Sequence, residues 1–569
     1  MAKRYRPVLR DQPFLFPPDM HEWLPGDHPV WLVIRAVERM DTSAFHARRR
    51  TGHAGSAGYD PDMLATLLVW AYAQGVASSR RMETLCGTDV AFRVICGGNL
   101  PDHATIARFR QDFPDAVTVL FGEVLILCAR LGMGRLGVIA LDGSKVRANA
   151  SKAANRTEAT LAKMAAERVA AHAAADAAED ALFGEARGDE VPAAAADPFT
   201  RDERIDAALA SARAERERRE REREQQEEER AAKAAEYLAA ARAGTPRAGQ
   251  PPGGTAVELA ERKVAREKAA QQAKCREWER AAAAAGAKPG GRPVPPEQYC
   301  RVRKAEAKLA AARAREADAA KKAAERAAKD AVIVRNITDP DSRLMATRDG
   351  KQQCYNPQQV TSEDLLVIAT ELTDDPTDMG WFEEMMAQAE QAAALIRAHQ
   401  PPPPAGEPAA GEQAQAAGGQ AADQHERASM IDLPLADAGY LSRHNLTCPG
   451  PDRLIATGKH RDLEHAARQA AGQDGGGEDD DDEISAMAAR LATGDGIAAY
   501  RQRGHIAETP HGDIKHNMRF RQLSLRGKTK AAAEWKFVCA IHNLKTAISS
   551  GHLTHAALDA LDALGLQAT

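Results

Sequence analysis

Three acidic residues, two closing apolar strands and one at a helix start, have the types that divalent-metal chemistry needs. They are Asp142 in Gly137-Val-Ile-Ala-Leu-Asp142, Asp437 in Met430-Ile-Asp-Leu-Pro-Leu-Ala-Asp437, and Glu508 in Tyr500-Arg-Gln-Arg-Gly-His-Ile-Ala-Glu508. Hard divalent cations take oxygen ligands, which carboxylates from separated elements can supply together. Two such ions about 3.5–4 Å apart stabilise the attacking and the leaving oxygen of an in-line phosphoryl displacement, so the chemistry expected here is phosphodiester cleavage or transfer. The surroundings of Glu508 agree. From Tyr500 to Lys530 there are eight Lys or Arg against two acids, on a chain of formal charge -5. A local cationic face on a chain that is not basic overall suits a polyanion. Thr509 and Pro510 read as N-cap and first helical residue, which places Glu508 at the entry of a helix. Positions 512, 515, 519 and 522 then recur at helical spacing, putting Lys515 and Arg519 on one face, where they would hold phosphates without reading bases. Each piece has an ordinary reading: an Asp before Gly is usually a turn former, and a lone acid near a helix start complements the dipole. Their joint occurrence, in this order, carries the argument.

The elements that must position these residues are legible in outline. Residues 25 to 135 read as mainly helical, with apolar spacing in Pro61–Tyr72 and Val117–Cys128. Between them Leu100–Arg110 carries Arg108 and Arg110, which fits either a small DNA-binding module or an ordinary bundle with solvated arginines. Gly137–Asp142 predicts a strand closed by an Asp-Gly turn, with Ser144–Ala148 returning as its hairpin partner. From about 152 to 330 the chain is dominated by Ala, Glu, Arg and Lys, with pairs such as Glu215/Arg219 at i,i+4 and few large apolar residues. That pattern predicts solvated helices without a strong coiled-coil seam, divided into three by the Gly/Pro stretches at 244–254 and 286–296. Folded character resumes at Ala331–Val334 and continues through Asp364–Leu372, a second strand candidate. The Pro/Ala/Gly/Gln stretch near 400–424 and the acidic run Gly472 to Asp482 are linkers by composition, and a final helical portion runs from about 509 to 563.

Composition narrows the class. Aromatics are 5% and charged residues 28%, and alanine supplies much of the apolar 44%. Eight cysteines are scattered without a Cys-x-x-Cys pair, so no zinc or redox motif is signalled, and a reduced, cytoplasmic setting is expected. The basic N-terminus is followed by no apolar h-region, and no uninterrupted 18-residue apolar run occurs, so neither secretion nor a membrane partner is expected.

Asp142 in Leu-Asp-Gly-Ser, Asp437 in Ala-Asp-Ala-Gly-Tyr, and Tyr500, Arg503, Glu508 and Lys515 in the last segment resemble the catalytic motifs of bacterial insertion-sequence transposases of the DDE type. Among these the chain is most similar to the insertion-sequence 1182 group. Tyr59-Asp-Pro, Gly75–Arg81, Pro101–Arg110, Asn336–Arg343, Arg526-Gly and His542-Asn-Leu544 extend the resemblance over most of the chain outside the insertion and linkers. It implies an α/β fold with a ribonuclease-H-like catalytic core, a mixed sheet flanked by helices, joined to a helical N-terminal domain and a long charged helical insertion. The corresponding division is a DNA-binding domain over 1–130, core over 131–155, 331–399, 428–468 and 487–569, insertion over 156–330, and linkers over 400–427 and 469–486.

The resemblance further implies that Asp142, Asp437 and Glu508 hold Mg²⁺ or Mn²⁺, two ions in all. Tyr500, Arg503, Lys515 and Arg519, with Arg108 and Arg110, would contact DNA. The partners are then double-stranded DNA, as the element's terminal inverted repeats and as target, and a second copy of the chain in the active complex. The location would be the cytoplasm, at the nucleoid when bound to DNA. Hydrolysis at the element ends would be followed by attack of the freed 3′-hydroxyl on target DNA. Arg503 and Glu508 are separated by four residues where the signature has three, Cys354 replaces a usual glycine, and Pro434 interrupts the strand before Asp437. Asp339 and Asp341 are rival carboxylates, for which a turn role in Thr-Asp-Pro-Asp is preferred. A metal-dependent nuclease of the same fold without strand transfer, and a helical scaffold, are the alternative functions.

Overall fold

A computed structural model describes residues 19–47, 58–112, 114–183, 201–243, 251–285, 290–401, 431–458 and 483–565. The linkers expected at 400–427 and 469–486 fall almost wholly outside these residues. The chain forms two compact units, one of residues 1–154 with 338–569 and one of Asn155–Ile337.

Among the described residues of the first unit, a 3-10 turn at Met20–Glu22 is followed by seven helices: α1 (Pro29–Val37), α2 (Ser43–His46), α3 (Pro61–Ala73), α4 (Ser79–Thr88), α5 (Val90–Ile95), α6 (His103–Asp112) and α7 (Pro114–Arg130). Side chains set their starts, since Asp60, Ser78 and Asp89 accept from the first free amides of α3, α4 and α5. Strands β1 (Val138–Gly143) and β2 (Val146–Arg147) follow.

The second unit begins at β3 (Asn155–Thr157). Four helices follow, α8 (Glu158–Phe183), α9 (Arg201–Ala243), α10 (Ala256–Ala285) and α11 (Cys300–Asp330), and it closes at β4 (Val334–Asn336). Four helices replace the three expected: Gly184, Gly188, Pro192 and Pro198 lie between α8 and α9, a stretch outside the described residues. The solvated character holds, with ion pairs such as Arg219–Glu215, Lys268–Glu306 and Arg313–Glu261 and a small core around Leu161, Ile205, Ala208 and Leu209. Strands β3 and β4 pair antiparallel with Asn155 opposite Asn336, so the unit starts and ends at one point.

Back in the first unit come β5 (Arg343–Thr347), β6 (Gly350–Ser362), β7 (Val367–Thr373), α12 (Phe382–His399), β8 (Leu433–Ala436), α13 (Arg443–Thr447) and β9 (Leu454–Ile455). The chain ends in α14 (Glu483–Leu491), α15 (Gly494–Gly512), a π-helical turn at Asp513–Asn517, α16 (Lys528–Ser549) and α17 (His555–Ala563). The fold is mixed α/β, mostly helical. Its sheet runs β7-β6-β1-β8-β9, antiparallel across β7/β6 and β6/β1 and parallel across β1/β8 and β8/β9. Strands β7, β1 and β8 therefore point their C-terminal ends to the same edge. Ile139, Leu141, Val360, Val367 and Ile368 bury one core with Trp535, Val538 and Ile541 of α16, while Ala140 and Leu435 pack with Tyr500, Ile506 and Ala507 of α15.

Several expectations change. Ser144–Ala148 does not fold back on β1. Gly143 pairs with Gln358 and Val146 with Tyr355, so β1 and β2 are two stretches of one line along the long strand β6, and Asp142-Gly143 is strand rather than turn. Pro434 neither bulges nor shortens β8. Leu433 donates to Gly137 O on the β1 side, so position 434 faces β9, whose pairing begins only at Leu435, and no ladder bond is lost. Asp339 and Asp341 do stand in the expected turn, closed by Ser342 N donating to Asp339 O, and they also accept from the amides of Gly527 and Lys528 at the start of α16, which lacks a capping side chain of its own.

Candidate active site

The parallel register of β1 on β8 matches Leu141 with Ala436, so the next residues, Asp142 and Asp437, stand side by side at the strand ends. The side chain of Asp142 is 18% exposed and that of Asp437 40%. Asp437 is oriented by the amide of Gly439, which donates to its Oδ1 at 2.8 Å. Arg503 reaches both acids from α15, with Nη2 at 2.9 Å from Asp142 Oδ1 and 3.6 Å from Asp437 Oδ2.

Glu508 does not begin a helix. It lies well inside α15, whose N-cap is Thr493 accepting from Gly496, and Pro510 sits within the same helix. Proline removes one donor and crowds the preceding turn, yet the chain stays coiled and widens into the π-helical turn that carries Lys515. Tyr500, Arg503 and Glu508 thus ride on one helix. Glu508 is exposed at the site's margin, where its charge acts on Asp142 and Arg503.

The hydroxyl of Tyr500 donates to Ala436 O at 3.3 Å, seating α15 on the strand that delivers Asp437. Lys515 donates to Ser144 Oγ and, at 3.3 Å, to Lys145 O, in the break between β1 and β2. Arg519 leaves this group. The π turn ends the helix at Asn517 and Arg519 takes φ 54°, so it shares no helical face with Lys515; it lines a cavity of about 720 Å³ with Trp70, Gly75 and Arg81. In α6, Arg108 is exposed, whereas Arg110 donates to Tyr72 Oη at 3.0 Å and Ala77 O at 2.7 Å.

Sequence reasoning missed three neighbours. Asp378, after β7, accepts from Asn356 Nδ2 at 2.8 Å and Gln358 Nε2 at 2.7 Å through one oxygen, Oδ1. The signal that could have found it is the one used for Asp142 and Asp437, an apolar strand followed by acids, here Asp374, Asp375 and Asp378. Gln358 is fully buried and also accepts from Tyr440 Oη. His511, stacked near Trp535, places Nε2 at 3.9 Å from Asp142 Oδ2. Burial first, then the charges of Lys515 and His542, push its pKa down to about 3, so the ring is neutral.

Electrostatics make Asp142 the strained member. Burial pushes its carboxyl up to about 7; Arg503 opposes this, and Asp437, Asp378 and Glu508 add to it. Three carboxylates act on Arg503 and a fourth, Asp378, acts on Asp142, and the donors are all hard oxygen atoms. Such a set fits a divalent cation, with the Arg503 guanidinium already bridging two of its members. No three of Asp142, Asp378, Asp437 and Glu508 bring ligand oxygens all within 4.8 Å of one another. Among the described residues His46, Asp60 and Asp62 do so, at an exposed spot where Asp60 caps α3.

Residues 18–112, essentially α1 to α6, match the family described as Transposase domain (DUF772), and residues 479–548 match Transposase DDE domain. The second match contains Tyr500, Arg503, Glu508 and Lys515; Asp142 and Asp437 lie outside both. No curated protein and no solved structure matches the chain.

Proposed function

We propose that this chain, an insertion-sequence transposase of the DDE type by its two domain matches, cuts DNA at the ends of its element and joins the freed 3′-hydroxyl to target DNA. The pairing of these two domains fits the insertion-sequence 1182 group. The observation that carries the reading is the register of β1 on β8, which sets Asp142 beside Asp437 under Arg503. The mixed sheet, with its carboxylates at one edge and α15 across them, supports a ribonuclease-H-like core.

Asp142, Asp437 and Glu508 would hold Mg²⁺ or Mn²⁺, two ions in all. When bound, these supply activation of water and then of the 3′-hydroxyl, and neutralise charge on the scissile phosphate. Asp437 is presented by its own Gly439 amide bond, so it needs little reordering. Asp142 must be ionised to serve, and Arg503 favours that form. Tyr500 acts by fixing α15 on β8, which keeps Arg503 and Glu508 at the correct height over the strand ends. Lys515, on the far side of Asp142, positions a phosphate next to the scissile one. Arg108 and Arg519 serve DNA away from the reacting atoms, and a homodimer would bring two element ends together.

A two-plasmid assay tests this, with the protein supplied in trans to a marker flanked by the DNA that borders its gene. Wild type is expected to excise and integrate the marker, and Asp142→Asn, Asp437→Asn and Glu508→Gln are each expected to abolish movement while remaining folded. Movement that survives all three substitutions would overturn the assignment; metal-dependent nicking without joining would leave a nuclease.

A further inference from the structure

Gly143 and Gly439 share an unusual neighbour. A methyl group on Gly143 would overlap Asp378 Oδ1 and stand 2.7 Å from Gln358 Nε2. One on Gly439 would stand 2.9 Å from Asp437 Oδ1 and 3.2 Å from Asp378 Oδ2. Both residues lacking a side chain lets the Asp378 carboxylate lie directly against the backbone that follows Asp142 and share the space over Gly439 with the Asp437 carboxylate. Strand direction explains how it gets there: β7, β1 and β8 end at one edge of the sheet, with Asp142 in the last residues of β1, Asp437 next after β8 and Asp378 in the loop after β7.

Asp378 is held firmly and from one side only. Asn356 and Gln358, 1% and 0% exposed, both donate to its Oδ1. Gln358 is fixed in turn by the Tyr440 hydroxyl, three residues beyond Asp437. Buried Asn445 donates to Met379 O and Tyr440 O, each at 2.7 Å, tying the loop of Asp378 to the loop of Asp437. Meanwhile Oδ2, the oxygen that approaches Gly439, takes part in no hydrogen bond among the described residues. A purely structural acid would be served by both oxygens; here one is anchored by two buried amides and the other faces the site.

We propose that Asp378 is a fourth carboxylate of the cation site, offering Oδ2 to the divalent ion that Asp142 and Asp437 hold. The inference rests on the proposed function, and its test separates the two. Asp378→Asn is the informative variant, because its amide oxygen can still accept from Asn356 and Gln358 while an NH₂ group replaces Oδ2. The full chain, without DNA, is titrated with Mn²⁺ and free ion is followed by electron paramagnetic resonance; unfolding in EDTA checks the fold. At least tenfold weaker Mn²⁺ binding by Asp378→Asn, with an unchanged unfolding midpoint in EDTA, is the expected result. Wild-type affinity in Asp378→Asn, with binding lost in Asp142→Asn, would overturn the fourth ligand and leave the three-carboxylate reading standing. Binding unaltered by either substitution would overturn both.

Discussion

Replacing Asp142 by Asn is expected to stabilise the metal-free protein, and to do so more strongly as pH rises. The carboxyl titrates near 3.8 in an unfolded chain and at about 7 in the folded one. Between these values the unfolded state binds fewer protons than the native state, so stability falls with rising pH. The contribution is fully present below 3.8 and is lost as pH passes through 7. About three pH units at ~1.4 kcal/mol each give a cost on the order of 4 kcal/mol at pH 8 and less than half of that at pH 5. Asn mimics the protonated form and keeps an oxygen for Arg503, so it escapes that cost. With an unfolding entropy of ~2.1 cal/mol/K per residue, a unit of this size should gain about 5 °C in Tm at pH 8 and about 2 °C at pH 5. Thermal unfolding in EDTA across this pH range measures it. A Tm difference that is negative, or flat with pH, would show that Arg503 already neutralises Asp142 and would refute the argument. Mn²⁺ should invert the order, since an ion that binds only the folded wild type stabilises it by mass action while Asp142→Asn gains little.

Arg503 is the group that favours ionised Asp142, so Arg503→Gln should move the acid limb of Mn²⁺-supported nicking to higher pH; initial rates from pH 6 to 9 would show it, and an unmoved limb would rule out the coupling. Glu534, buried in α16, accepts from Tyr72 Oη, Ser524 N, Leu525 N and Ser524 Oγ, and Glu534→Ala should cost about 3 kcal/mol through orphaned donors, read by denaturant unfolding. Replacing residues 155–337 by a short Gly/Ser linker should leave a folded protein that nicks DNA, because Asn155 and Asn336 are paired neighbours and the ends to be joined are adjacent. Loss of nicking with the fold preserved would give that unit a direct part in the reaction.

The parts of the fold that could be read were those with local signals. The apolar spacing of Pro61–Tyr72 and Val117–Cys128 marked helices, and charge pairs such as Glu215/Arg219 marked the solvated insertion. What failed was pairing at a distance. The strand Gly350–Ser362 is polar along much of its length, with Gln352, Gln353, Asn356, Gln358 and Gln359, because several of these amides serve buried networks rather than a core face. Without that strand, the nearest candidate partner for β1 was Ser144–Ala148, and a hairpin was the natural but mistaken inference. The helix start at Thr509 failed for a related reason. Thr-Pro is a good cap signal, but burial of Ile506, Ala507, Pro510 and Ile514 carries the helix through it.

The same missing strand explains why the acids were read incompletely. Asp142, Asp437 and Glu508 stand out through sequence context, whereas Asp378 sits in an ordinary acidic loop and acquires its position only through Asn356 and Gln358 of β6. A polar strand at the centre of a sheet costs hydrophobic burial, and the structure uses those amides to fix one carboxylate and, through Gln358, the tyrosine that follows another. Gln358→Leu separates the two roles. It would add apolar burial and leave Asp142 and Arg503 untouched, yet it removes a donor from Asp378 and the acceptor of Tyr440. If the amides of β6 exist for the site, Gln358→Leu should weaken Mn²⁺ binding about as much as Asp378→Asn while its unfolding midpoint in EDTA is kept; unchanged Mn²⁺ affinity would show that β6 serves the fold alone.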